Sequence, residues 1–390
     1  MINADTLEDR CIKVTKFCVK LAGIWPWQSK NSKIVTRVIT YIIFITVFST
    51  MMFRVVCFFS LDVLVNQLAF LGAITGVVIK QANYIILKKE YEDLLGTIRK
   101  DWLIDRPQTE FEIMSKYAER GAFLISTYVA NALGCVALFF SAPFVPPLLD
   151  FVFPKNESRE LAFMYPAYYF VDGQKYNFLI NLHMATAIFS VYYVYVGCDT
   201  SYMYVVQHAC GLMAVSGHRF KSAAEGLSAQ KKNGITSNEA YRKVCHSIRG
   251  HQHAIEYLNN IENCHVTYLF IAIGIIMVCF CVILVKVSKL SSGTELAKDY
   301  MFIGIQLVHI FFLTLQGQLI LDVNKEVYGV IYDAMWYNTD KRTQKLFVLA
   351  LRSCLSTPRL TAGGLITLSL QSFSEIIKTS VSYSMVLKSV

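Results

Sequence analysis

Residues 266–285 read VTYLFIAIGIIMVCFCVILV and decide the fold class of the chain. This stretch contains no charged side chain, and about 20 mostly apolar residues suffice to cross the hydrocarbon core of a bilayer as one helix. The seven stretches of this kind lie at 34–58, 62–87, 119–146, 176–209, 265–287, 299–321 and 364–388. The sequence therefore predicts an all-α polytopic membrane protein with seven transmembrane helices in a lipid bilayer.

The composition of the whole chain agrees with this prediction. Of its 390 residues 54% are hydrophobic and 17% are charged, whereas soluble domains carry about 25% charged residues. So few charges exclude both intrinsic disorder and a soluble protein of this size. Residues 1–390 contain no internal repeat or long linker and are predicted to form a single domain. The first 33 residues lack the apolar core of a signal peptide, so we expect the first span to act as an uncleaved anchor.

The distribution of Lys and Arg predicts the orientation of the chain. Segments 1–33, 88–118, 210–264 and 322–363 together contain 25 of these residues, whereas the loops on the opposite side and the C-terminal end contain six. Positive residues concentrate on the cytoplasmic side of membrane proteins. We therefore expect a cytoplasmic N-terminus and an extracellular C-terminus. Asn156, in Asn-Glu-Ser, is then a glycosylation site in the longest extracellular loop.

The seventh span carries a polar stripe at steps of three and four residues, which place its members on one helix face. The stripe consists of Ser372, Glu375, Thr379, Ser382, Val386 and Ser389. Such a face inside a membrane requires water, a ligand or partner helices. It therefore either lines an aqueous pore, with Val386 as a hydrophobic constriction, or packs against neighbouring helices through hydroxyl groups. Glu375 favours cations if it faces a pore, and its spacing from Lys378 predicts an ion pair.

Aromatic and polar side chains recur in the halves of spans two, three, four and six that are predicted to be outer. They are Phe70, Phe139, Phe140, Phe178, His183, Phe302, Gln306 and His309. Such a set suits a buried pocket for a small apolar ligand, which is our candidate ligand-binding site. The same residues are also typical of an ordinary helix-bundle core.

Other chemistry is not indicated by the sequence. His246, His251, His253 and His265 lie near Cys245 and Cys264, but their spacing matches no zinc-site pattern, so we expect no metal. Phosphate-binding glycine loops and nucleophile motifs are absent. We expect no enzyme and no cofactor. Lys and Arg do not cluster with aromatic residues, so nucleic acid is not an expected partner.

The motifs of the C-terminal third resemble those of insect odorant receptors. They are AMWYN at 334–338, Leu351-Arg352 followed by Pro358, and TAGGLITLSLQSFSEIIKTSVSYSMVLKSV from residue 361 to the end. Trp25-Pro26 before the first span is similar as well. Val381 and Ser384 depart from the Tyr and Phe that are common in the family, so we expect different local packing near Val386.

This resemblance implies an odorant-binding subunit of a channel for monovalent and divalent cations, in which four subunits include a shared coreceptor. It implies a small apolar odorant as ligand, a pore helix at 364–390 with Val386 at the gate, and an intersubunit anchor at 210–264 and 322–363. The short 210–264 segment favours a tuning receptor over a coreceptor, and the family implies the plasma membrane of olfactory dendrites. A gustatory-receptor-type channel is the first alternative. A G-protein-coupled receptor is the second, disfavoured by the predicted cytoplasmic N-terminus and the absence of an Asp-Arg-Tyr motif after the third span.

Overall fold

The chain folds as a bundle of long helices in a computed structural model that describes residues 4–154, 159–230, 237–289, 294–356 and 359–389. The helices are α1 (Ala4–Leu21), α2 (Lys30–Cys57), α3 (Leu61–Ile86), α4 (Lys88–Leu103), α5 (Gln108–Ser141), α6 (Val145–Val152), α7 (Asn177–Gln230), α8 (Ser237–Lys289), α9 (Thr294–Tyr332), α10 (Lys341–Leu355) and α11 (Leu370–Ser389). Two short strands, β1 (Thr361–Ala362) and β2 (Ile366–Thr367), pair antiparallel. The predicted all-α membrane fold is confirmed.

Six helices in the described ranges are long and apolar enough to cross a membrane: α2, α3, α5, α7, α8 and α9. The seventh predicted span corresponds to α11, a more polar helix of 20 residues. Its predicted start at residue 364 is wrong, because the chain forms the β1–β2 hairpin before α11 begins at Leu370. Gly363 and Gly364 lie in the turn with φ values of 66° and 71°, which glycine adopts without a Cβ clash.

Three helices continue far beyond the membrane. With 54 residues, α7 is about 80 Å long, while the hydrocarbon core is about 30 Å thick. α8 has 53 residues and α9 has 39. The segment 210–264 is therefore not an irregular loop: α7 extends through it to Gln230, and α8 begins at Ser237. We call the half of the bundle that contains the start of α7 the upper half, and the half that contains α4 and α10 the lower half.

The centre of the bundle is α7, which packs against α1, α3, α5, α8 and α9. Every residue from Val196 to Met213 of α7 is buried. A large apolar core surrounds this stretch, and a smaller cluster in the upper half includes Met51, Tyr165 and Met184. Burial on all sides explains why α7 has little hydrophobic periodicity, since a helix without a solvent face needs no polar stripe.

The β1–β2 hairpin is fastened to α8 at the level where α11 begins. The Glu262 carboxylate accepts hydrogen bonds from the Thr361 backbone N–H, at 2.8 Å, and from the Thr361 hydroxyl. The Gly363 N–H donates to the Val266 carbonyl at 3.0 Å. On the other side, α9 passes so close that a Cβ on Gly317 would overlap the Leu368 carbonyl oxygen. The segment that leads into α11 is therefore held between α8 and α9.

Candidate functional site

A cavity of about 230 Å³ lies in the upper half of the bundle. Side chains of α2, α3, α5, α7, α8 and α9 form its wall, together with Tyr165 from the segment before α7. Most of this wall is apolar. Cavities lined by apolar side chains and a few polar groups are the usual binding sites for small ligands.

The cavity brings together five of the eight predicted ligand-binding residues: Phe70, Phe139, Phe302, Gln306 and His309. The Phe70 ring lies 6.4 Å from the Phe139 ring and 5.8 Å from the Phe302 ring, measured between centroids, in edge-to-face geometry. Aromatic pairs prefer this arrangement. These rings hold α3, α5 and α9 together around one side of the void.

Three predicted residues do not line the cavity. Phe178 is 77% exposed, because the buried face of α7 at this level carries Ile180 and Met184 instead. Phe140 packs against the smaller apolar cluster of the upper half. The His183 ring contacts the Thr46 hydroxyl at 3.0 Å and the Tyr169 hydroxyl at 2.8 Å, and so joins α7 to its neighbours.

Small residues of α3, which the sequence analysis did not single out, create room for the void. Ala69, Gly72, Ala73 and Gly76 all line it. A Cβ on Gly72 would collide with the Cys279 sulfur, and one on Gly76 would lie 2.8 Å from the Tyr195 hydroxyl. Their spacing of three and four residues is a signal, visible in the sequence, that one face of this helix accepts close neighbours.

A buried ion pair lies at the lower end of the cavity. Lys80 of α3 and Asp199 of α7 form it, and both side chains are completely shielded from solvent. The other Asp199 oxygen, Oδ2, accepts a hydrogen bond from the Tyr128 hydroxyl at 2.6 Å and contacts His309 Nε2 at 3.1 Å. The Lys80 ammonium also lies 2.9 Å from His309 Nε2 and 4.5 Å from the centre of the Tyr195 ring.

This network joins four helices, because Lys80, Tyr128, Asp199 and His309 belong to α3, α5, α7 and α9. Buried charges are tolerated only when they are paired and hydrogen-bonded, and both members of this pair have several partners. Tyr128, Tyr195 and His309 also line the cavity. The charged network is therefore one layer of side chains away from any molecule in the cavity.

The last helix has one buried face and one exposed face. Ile376, Ser380 and Ser384 are buried, and α11 packs against α8 and α9. Four of the predicted pore residues lie on the exposed face: Glu375, Thr379, Ser382 and Val386, the last of them 57% exposed. Ser389 ends the helix. The residues that the structure describes leave this polar face uncovered.

Two details of the predicted stripe are wrong. Ser372 is 5% exposed and does not share the outward face, because its hydroxyl caps the start of the helix by hydrogen bonding with Ser369. Glu375 does not pair with Lys378 in the described part of the chain. Its carboxylate instead accepts a hydrogen bond from the Gln371 amide at 2.8 Å, one turn earlier.

The profile of the 7tm Odorant receptor family matches residues 60–381, which include most of the cavity wall, the ion pair and most of α11. This chain belongs to the odorant receptor family. The family consists of receptors rather than enzymes, as the sequence predicted.

Relatives with known names agree with this assignment. Odorant receptor 13a of Drosophila melanogaster is 21% identical over an alignment of 289 residues, and the match covers 67% of this receptor and 65% of that protein. The fold is similar to that of the olfactory receptor OR5 from Machilis hrabei in complex with eugenol, with a TM-score of 0.81, 11% identity and 99% of both chains covered. Another structure of OR5 gives a TM-score of 0.76 at 13% identity, covering 96% of this receptor and 97% of that chain.

The lower half of the receptor holds a second polar cluster, around Asp101 of α4. Its carboxylate accepts hydrogen bonds from His208 at 2.8 Å and His253 at 3.3 Å, and Arg106 lies 3.6 Å away. Burial raises the pKa of the Asp101 carboxyl, but the two histidines outweigh burial and hold this pKa well below its usual range. The carboxylate thus fastens α4 to α7 and α8.

The histidines that the sequence analysis considered beside zinc point to different neighbours in the receptor. His253 contacts Asp101. His251 contacts the Ser216 hydroxyl at 3.2 Å, and His265 contacts the Tyr84 hydroxyl at 3.2 Å. Each of these contacts joins α8 to another helix, so these three side chains fix the packing of the bundle.

Proposed function

We propose that this receptor is the odorant-binding subunit of a ligand-gated, non-selective cation channel. A small apolar odorant binds in the cavity, and the occupied cavity favours the open state of a pore lined by α11. The observation that carries the proposal is the apolar cavity of about 230 Å³ within an odorant receptor chain. A ligand shifts such an equilibrium only through its different affinity for the two states.

The exposed face of α11 supports the pore. Glu375, Thr379 and Ser382 would be costly to expose to lipid, so they require water or another subunit. In the proposed channel, this receptor and an odorant receptor coreceptor together form a ring of four subunits. The ring gives the polar face of α11 both a water-filled pore and neighbouring subunits. Monovalent and divalent cations then pass Glu375, and Val386 forms the apolar constriction that closes the pore.

The proposal places the receptor in the plasma membrane, in the dendrite of an olfactory neuron, with its N-terminus in the cytoplasm. An N-terminal epitope is then accessible to antibody only after permeabilisation. A glycan on Asn156, which lies outside the described residues, provides the second test of orientation. An epitope accessible in intact cells would contradict this orientation and the channel together.

A steric block of the cavity tests the site. Ala73 lines the cavity, whereas Thr75, two residues along α3, is exposed. We expect Ala73→Phe to abolish odorant-evoked currents in cells that also express the coreceptor, and Thr75→Phe to retain them. Surface labelling controls for delivery of both variants, and inhibition of G proteins should leave the currents unchanged. Full currents from Ala73→Phe would place the ligand elsewhere.

The constriction is tested separately from the cavity. Val386→Ala removes two methyl groups from the narrowest ring of the proposed pore, so we expect raised basal current and a lower ligand concentration for half-activation, because the open state is favoured already without ligand. Unaltered basal and evoked currents would contradict the role of Val386.

A further inference from the structure

The wall of the cavity contains one amide group without a hydrogen-bond partner. Gln306 of α9 lines the cavity, and the whole residue is only 8% exposed. Its carbonyl oxygen, Oε1, is shielded from solvent and forms no hydrogen bond with the residues that the structure describes. A buried acceptor without a donor is destabilising, and a ligand that supplies the donor recovers this free energy.

Two other polar side chains of the cavity wall, His309 and Tyr128, are engaged already. His309, one turn further along α9, directs Nε2 towards Lys80 and Asp199. The Tyr128 hydroxyl donates a hydrogen bond to the Asp199 carboxylate. Of the buried polar atoms in the cavity wall, Gln306 Oε1 and the Tyr165 hydroxyl thus lack a partner among the described residues. Oε1 is the one of the two that can only accept a hydrogen bond.

The cavity does not favour a charged ligand. Lys80 and Asp199 neutralise each other and are fully shielded, so neither can act as counter-ion to a carboxylate or an ammonium group. Burying an unpaired charge would be very unfavourable. An ether or ketone of the same size is neutral but only accepts hydrogen bonds, and it leaves Oε1 without a donor.

We infer that the ligand of this receptor is a neutral alcohol whose hydroxyl donates a hydrogen bond to Gln306 Oε1, with its apolar part against Phe70 and Phe302. This inference rests on the proposed function, since it names the ligand class of the same cavity. An apolar cavity of about 150 Å³ holds benzene, so the present one, of about 230 Å³, accommodates about nine non-hydrogen atoms.

Three probes of this size separate the possibilities: 2-phenylethanol, its isomer benzyl methyl ether, and propylbenzene. The full-length receptor in lipid nanodiscs is titrated with each probe, and binding is measured as an increase in the temperature of thermal unfolding. We expect half-maximal stabilisation by the alcohol at a concentration about tenfold lower than by the ether or the hydrocarbon. The Ala73→Phe variant provides the background from probe dissolved in the lipid.

Gln306→Met tests the contact itself, because methionine has a similar length and carries no amide. We expect the alcohol to bind about tenfold more weakly to this variant and propylbenzene to bind at least as well as before. The matched control is Ile275→Val, another lining position, which should change binding of all three probes by a similar small factor.

The inference fails if the wild-type receptor binds the alcohol and propylbenzene equally, a comparison that needs no variant. It also fails if no probe binds, or if Gln306→Met weakens all three probes by the same factor. The channel proposal is judged by currents instead. Preferential binding of the alcohol without any current contradicts the channel proposal and supports the ligand class. Odorant-evoked currents without a binding preference for the alcohol contradict the ligand class and support the channel.

Discussion

Two of the places where charged side chains occur in the predicted membrane spans of this receptor differ sharply. Lys80 and Asp199 lie in the middle of the bundle and are fully shielded from solvent. The network that they form with Tyr128 and His309 joins four helices. Glu375 and Lys378 lie on the exposed face of α11, and the Glu375 carboxylate contacts a glutamine of its own helix. The first pair is satisfied within one chain, and the second set is left open at its surface.

The difference separates stability from assembly. A charge that finds its partners inside the chain restricts how the helices pack, and its removal leaves the partner exposed to a low dielectric. A charge on the outside of a membrane helix contributes little to the folding of the single chain but requires a polar environment beyond it. Substitutions of the buried pair should therefore change the stability of the single chain, whereas substitutions on the exposed face of α11 should change assembly or ion passage.

The largest effect is expected from removing one member of the buried pair. Asp199→Leu leaves the Lys80 ammonium without a counter-ion and should lower the free energy of unfolding by about 3–5 kcal/mol. Thermal unfolding of the purified receptor measures this, with Glu375→Leu as the matched substitution on α11. Lys80→Met combined with Asp199→Leu should recover most of the loss, because the unpaired charge is gone. A double variant as unstable as Asp199→Leu would show that the pair is not the cause.

The next effect concerns the place where α11 is held. Gly317→Ala puts a methyl group into the Leu368 carbonyl, so α9 and the start of α11 must separate, and overpacking of this kind costs about 1–3 kcal/mol. Gly304→Ala on the same helix meets open space and should be neutral or slightly stabilising. Equal unfolding temperatures for the two variants would contradict the close approach of α9 and Leu368.

Glu262 lies between the two extremes, since its side chain is half-buried and, within the described ranges, its carboxylate accepts hydrogen bonds from Thr361 alone. Glu262→Gln weakens charge-assisted bonds, so we expect a loss of about 1–2 kcal/mol. A double-mutant cycle with Thr361→Val measures the coupling between the two side chains. Glu256→Gln, at an exposed position of α8, is the control. Additive effects in the cycle would mean that the hairpin is not fastened by this contact.

The smallest effect on stability is expected at Glu375. Glu375→Gln should change the free energy of unfolding by less than about 0.5 kcal/mol, as is usual at exposed positions. If the proposed pore exists, the same substitution should lower the permeability of divalent relative to monovalent cations, measured from reversal potentials. Identical permeability ratios would remove Glu375 from the ion path.

The sequence was sufficient for the parts of the fold that depend on one helix at a time. Hydropathy identifies spans such as 266–285 without knowledge of any neighbour. It does not show where α7 ends or where α8 begins, because residues beyond the bilayer are polar and still helix-forming. Five lining residues were predicted correctly from their aromatic or polar character. Phe178 was predicted on the same grounds but is exposed, because only the packing of α7 determines which of its faces is buried.

Contacts between distant helices were beyond the sequence analysis. Lys80 and Asp199 are 119 positions apart, and each is an isolated charge in an otherwise apolar span. An isolated charge of this kind is itself a signal, because it requires a partner, and pairing the two spans would have identified the network. The spacing of Ser372 places it in the polar stripe, and only its capping contact with Ser369, seen in the structure, shows that it does not belong to the exposed face.

The small residues of α3 have a consequence for how such receptors diversify. A side chain at a void can be replaced by a larger or smaller one without forming a new cavity in the tightly packed core, and the free-energy cost depends on how well the site adjusts. Ala69 and Ala73 border empty space on one side, so exchanges there reshape the cavity at little cost in folding. The ion pair beneath them does not share this tolerance. A lineage of receptors can therefore change its ligands one methyl group at a time while the scaffold below remains fixed.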